Sequence, residues 1–92
     1  MASPLGAHVL RVSLVSADQE VWSGEAKQVS ARTTEGEIGI LAGHEPLLAI
    51  LGAGEVRITG TEGGVVTANA EDGFLSVENN NVTIVARHAA LA

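Results

Sequence analysis

Short runs of alternating apolar and polar residues, cut by turn signals every eight to twelve residues, constrain this chain most. Leu10, Val12 and Leu14 alternate with Arg11, Ser13 and Val15, the period of a half-buried strand. Ala26 to Thr34 alternates again, with Lys27, Val29, Ala31 and Thr33 on one expected face. Val56 and Ile58 face inward in the same way within Glu55–Thr59. The punctuation is as regular as the runs. Ser16-Ala17-Asp18-Gln19, Ser23-Gly24, Gly52-Ala53-Gly54, Gly60 to Gly64, Asp72-Gly73 and Asn79-Asn80-Asn81 each read as a break or a turn. Asp-Gly before a strand is a tight-turn signal. No stretch sustains a helical period, although the Ala-rich tail from His88 to Ala92 could begin a helix. The pattern predicts an all-β sandwich or barrel.

The core must be aliphatic. Hydrophobic residues make up 46% of the 92, yet Trp22 and Phe74 are the sole aromatics. A chain of this length reads as a single domain over residues 1–92, with an ordered core from about 9 to 89. Cysteine is absent, which excludes disulfides and thiolate metal sites. The net charge is −6, and the five basic residues are scattered, so nucleic-acid binding has no electrostatic footing. An acidic surface also disfavours anionic lipid, and no apolar run approaches the roughly 20 residues that cross a bilayer. The N-terminal residues do not read as a secretion signal, so the expectation is a cytoplasmic chain, monomeric in isolation and without direct lipid insertion.

Motifs for chemistry are missing. There is no Gly-x-Ser-x-Gly elbow, no dinucleotide fingerprint and no P-loop, so neither a catalytic residue nor a cofactor is expected. His44 and Glu45 adjoin and would point to opposite faces of a strand, which makes them poor joint metal ligands. His8 and His88 could meet if the terminal strands pair, but two histidines alone do not make a metal site. Asn81-Val82-Thr83 is formally a glycosylation sequon and reads better as a turn entering a strand. Lys27, the one lysine, raises the alternative of a lipoyl- or biotinyl-type carrier, or a small-ligand-binding β-sandwich. A carrier needs its lysine at a hairpin tip. Lys27 falls within a predicted strand, with its head in water.

Gly36 to Leu48 is the segment most suggestive of function. Three glycines, His44 and Pro46 stand among aliphatics that would otherwise be buried. Gly permits sharp turns, and Pro46 biases Glu45 towards extended backbone. The expectation is a rigid presenting loop, with Glu35, Glu37 and Glu45 around an apolar patch of Leu41, Leu47 and Leu48.

Several segments together resemble the epsilon subunit of F-type ATP synthases. The opening Val15-Ser16-Ala17-Asp18-Gln19-Glu20-Val21-Trp22-Ser23-Gly24 is similar, as are Glu35-Gly36-Glu37-Ile38-Gly39-Ile40 and Gly43-His44-Glu45-Pro46-Leu47-Leu48. Ala70 to Val77 and Asn81 to Ala86 resemble the family's last strands. The resemblance implies a flattened sandwich of about ten strands. It implies a non-catalytic subunit of the central stalk that binds the gamma subunit and the c-ring, rotates with them and couples proton flow to ATP synthesis. Such a subunit is peripheral, at the cytoplasmic face of the plasma membrane. Glu37 and His44 fall on positions implicated in c-ring contact, and Pro46, Leu47 and Leu48 lie beside the gamma contact. Relatives usually continue into a pair of C-terminal helices that restrain ATP hydrolysis, and in some members binds ATP. This sequence stops where they would begin, so no inhibitory or nucleotide-sensing role is carried over. Ala42 also replaces a proline often found before the Gly-His pair.

Overall fold

The structure, a computed structural model, describes residues 9–17 and 19–92. Six strands account for the architecture: β1 (Leu10–Ser16), β2 (Gln19–Thr33), β3 (Gly36–Leu41), β4 (Leu47–Gly60), β5 (Val65–Glu78) and β6 (Asn81–Leu91). They hydrogen-bond in the order β1-β6-β5-β4-β2-β3, and β1 also pairs with β2. That extra pairing closes β1, β6, β5, β4 and β2 into a barrel-like sandwich, with β3 added to the free part of one β2 edge. All neighbours are antiparallel except β1 and β6, which run parallel.

The strand count differs from the expected ten or so because three strands are long enough to serve two layers. β2, β4 and β5 run 15, 14 and 14 residues. β4 and β5 bend where a break was expected and resume pairing beyond it, while β2 pairs regularly with β1 through Ser23-Gly24. Gly52 to Glu55 bulge out opposite Arg32, between the pairs Thr33↔Leu51 and Ala31↔Val56. Asp72-Gly73 is likewise no hairpin turn: it lies inside β5, with Asp72 at φ 60. Ser23-Gly24 lies inside β2, and the ring of Trp22 covers Gly24. The Ala-rich tail is strand, paired to β5 as far as Leu91.

Other turns fall where the sequence puts them. Asn79 and Asn80 both have positive φ and join β5 to β6 across the pair Glu78↔Asn81, the two-residue hairpin geometry that Asn tolerates. Gly60 and Gly64 close the β4–β5 hairpin through a 2.7 Å backbone bond.

Between the layers lies an aliphatic core. Leu10, Leu14, Ile58, Leu75 and Ile84 are fully buried, with Val29, Val56, Val77 and Val82 around them. The expected inward positions Val12, Val29, Ala31, Val56 and Ile58 are all buried. Lys27 is not: a register shift between Ala26 and Gln28 turns it out to solvent. A bulge can re-aim one side chain without disturbing the strand on either side.

Candidate functional site: a hairpin, a loop and an apolar sheet face

Glu37 is presented by the β2–β3 hairpin, whose turn is held from within. The Thr33 hydroxyl donates to the Gly36 carbonyl at 2.7 Å and accepts from the Glu35 amide at 3.1 Å. Thr34 N donates to the Ile50 carbonyl at 2.9 Å, tying the turn to β4. Glu37 is exposed and stands across from Arg32. Thr33 is itself buried, so Thr33→Val strands the Glu35 amide and the Gly36 carbonyl. It should cost about 1–2 kcal/mol, read as a lower thermal midpoint.

His44 belongs to the β3–β4 loop, residues 42–46. Gly43 takes φ 89, a left-handed conformation that a side chain would resist. His44 N donates to the Leu41 carbonyl at 3.1 Å, and its Nδ1 donates to the Glu45 carbonyl at 2.7 Å. The ring is half-buried, and Glu45 and Pro46 are exposed.

The apolar segment after the loop divides by strand alternation. Leu47 packs against the core. Leu48 points outward and is 69% exposed. Of the three aliphatics expected to form a patch, Leu41 and Leu48 are therefore exposed and Leu47 is turned in.

The outward side of this layer carries more apolar residues than the sequence had suggested. Ile50 pairs with Phe74, Phe74 with Val85 and Val85 with Val15. The register thus lines up four apolar side chains across β4, β5, β6 and β1, with Leu48 in the adjacent row. Ile50 is 57% exposed and Phe74 38%. Contiguous apolar surface is uncommon on the outside of a single chain, which makes this row the candidate interaction face of the layer. Ile50, Phe74, Val85 and Val15 escaped the sequence reading because each seemed to belong to a separate short strand. The signal available was the placing of one large aromatic, Phe74, out of phase with buried Leu75 and Val77.

The other layer has a different outer face. Gln28, Ser30, Thr59, Val65 and Thr67 surround an Arg57 Nε–Glu55 Oε1 pair at 3.4 Å, and Glu37 borders an adjoining recess that shares Ser30, Glu55 and Arg57.

Other candidate centres stay apart. His8 lies outside the described residues, and His88 is exposed opposite Glu71. Among the described residues, no three His, Asp or Glu side chains group closely enough to hold a metal ion. Lys27 sits in mid-strand rather than at a hairpin tip, the wrong place for a carrier lysine.

Residues 9–92 match the family model described as the beta-sandwich domain of the ATP synthase Delta/Epsilon chain. The chain belongs to this family. Among its relatives is the ATP synthase epsilon chain of Micrococcus luteus, 55% identical over 82 residues, which cover 89% of this chain and 90% of the relative. The epsilon chain of Streptomyces coelicolor is 49% identical over 83 residues, covering 90% of this chain and 67% of that one. The fold is similar to a chain in the Euglena gracilis mitochondrial ATP synthase OSCP/F1/c-ring assembly, with a TM-score of 0.85 and 26% identity. The match covers 92% of this chain and 54% of the Euglena chain, so this chain spans about half its length. A chain of the Tetrahymena thermophila mitochondrial ATP synthase central stalk and c-ring shares the fold, with a TM-score of 0.67 and 17% identity over 87% of this chain and 64% of that one. The long bent strands and the hairpin carrying Glu37 are thus features of a Delta/Epsilon β-sandwich.

Proposed function

We propose that the chain is a non-catalytic central-stalk subunit of a proton-translocating F-type ATP synthase. It binds the gamma subunit and the c-ring and transmits rotation between them at the cytoplasmic face of the membrane. The observation that carries this reading is the pairing of two unlike surfaces on one closed β-structure. One is the apolar row from Ile50 to Val15 with Leu48 beside it; the other is polar and lies at the two ends of β3, where the β2–β3 hairpin presents Glu37 and the following loop presents His44. Permanent interfaces are more apolar than transient ones, so the apolar face suits gamma, with Leu48 at its rim and Pro46 and Leu47 leading into it. Carboxylate and imidazole suit the polar loops of a c-ring. Strands that continue from one layer into the other suit the transmission of force.

Exchanging Glu37 and His44 together for glutamine is the direct test of the polar surface. Association with a purified c-ring–gamma assembly should weaken by about tenfold, about 0.7 kcal/mol for each of the two side chains. The melting of the isolated chain should stay unchanged, because both side chains are at least partly in solvent. Unfolding of the double variant would make the pair structural and remove it from the site.

A further inference from the structure

The loop that carries His44 has little of its own to hold it. It joins β3 to β4, and these two strands pair with β2 rather than with each other, so no ladder clamps the loop ends. A hydrogen bond reaches it from the far end of the sequence. Gly43 N donates to the side-chain Oδ1 of Asn80 at 2.8 Å, across 37 residues. Asn80 is well placed for this. It occupies the β5–β6 turn with φ 63, and its own carbonyl accepts from Arg11 N at 2.8 Å, which fixes the turn against the start of β1. The carboxamide therefore extends a rigid corner of the sheet to the one amide that immediately precedes His44.

We propose that Asn80 is a positioning residue for docking, holding the 42–46 loop so that His44 meets the c-ring in one arrangement. The inference rests on the stalk reading above. Asn80 need not touch the partner. Its contribution is that the loop arrives already shaped, and the ordering is not charged against binding. Neither the apolar periodicity nor the docking motif points to this residue, because a turn asparagine is sufficiently explained by its φ.

Three forms of the full chain separate the two roles of Asn80. Asn80→Gly keeps the positive φ at no steric cost and removes the side-chain acceptor. Asn80→Asp keeps an acceptor oxygen and still tolerates the left-handed region. Hydrogen exchange at the Gly43 amide reads the anchor in the isolated chain, and association with a purified c-ring–gamma assembly reads docking. In Asn80→Gly, Gly43 exchange should rise about fivefold, the factor for one net hydrogen bond. Association should weaken by a similar factor while the melting temperature falls by only about 4–8 °C, the amount for one net hydrogen bond, and Asn80→Asp should restore exchange and association. Unchanged Gly43 exchange in Asn80→Gly would overturn the anchor. Faster exchange with unaltered association would overturn the docking role. Failure of the unsubstituted chain to associate at all would overturn the stalk reading and the docking role with it. The Gly43 exchange rates would still show whether the anchor exists, so the two failures are distinguishable.

Discussion

Gly73→Ala should destabilise the chain by about 3 kcal/mol, at the upper end of overpacking penalties. Gly73 faces Ala86 at the point where β5 bends from one layer into the other. A Cβ at this position would stand 2.6 Å from the Ala86 Cα and would strike the Val85 carbonyl. Both are backbone atoms inside a ladder, so neither can swing aside as a side chain would. Relief requires β5 and β6 to separate, and that opens the core around Leu75 and Ile84, both fully buried. For a chain of this size the loss corresponds to about 12–24 °C in melting temperature. Gly64→Ala is the matched control, since a Cβ there meets nothing within 4 Å. It should stay within about 0.5 kcal/mol of the parent. Equal melting of the two variants would mean that close approach at Gly73 does not set the bend.

The second large effect is on association. Ile50→Glu should weaken binding to the gamma subunit by about 30-fold or more, the loss typical of an interface hot spot. Ile50 stands at the end of the row that continues through Phe74, Val85 and Val15, and a carboxylate there would be desolvated on docking. The isolated chain should fold normally, because the side chain points outward and is 57% exposed. Val65→Glu makes the comparison specific. Val65 is equally open at 58%, yet it pairs with Thr59 on the other layer. It should leave gamma binding unaltered. Equal losses from both variants would point to a general effect of added negative charge on a chain already at −6.

Much of this fold is legible in the sequence because its core depends on a simple period. Val12, Val29, Val56 and Ile58 are buried where alternation puts them, and the Asn79-Asn80 turn takes the left-handed geometry that its residue types favour. Glycine was the source of the miscounted strands. Gly52, Gly54 and Gly73 can end a strand or bend one, and local sequence does not say which. What decides is the partner strand. β4 and β5 bend at the same place, with pairing interrupted between Ile50↔Phe74 and Gly54↔Ala70, so the sheet continues around the corner. The shape of the Gly36 to Leu48 segment was legible in part: Glu37 stands exposed on its hairpin and Gly43 turns the loop before His44, where the punctuation has no use in a plain strand. The apolar face was not, because Ile50, Phe74, Val85 and Val15 are far apart in sequence and become a row through register alone. Asn80 was hidden for the same reason: its bond to Gly43 is a property of two loops meeting.

Site-specific photo-crosslinking tests the central claim most directly. A photoreactive residue at position 37 or at position 48 would be carried by the chain in ATP synthase assembled in its native host. The captured neighbours would then be identified by mass. Position 37 should capture the c-ring subunit and position 48 the gamma subunit, in line with the hairpin facing the ring and the apolar layer facing the stalk. Capture of neither subunit, or of the surrounding catalytic subunits from both positions, would contradict a place in the rotor.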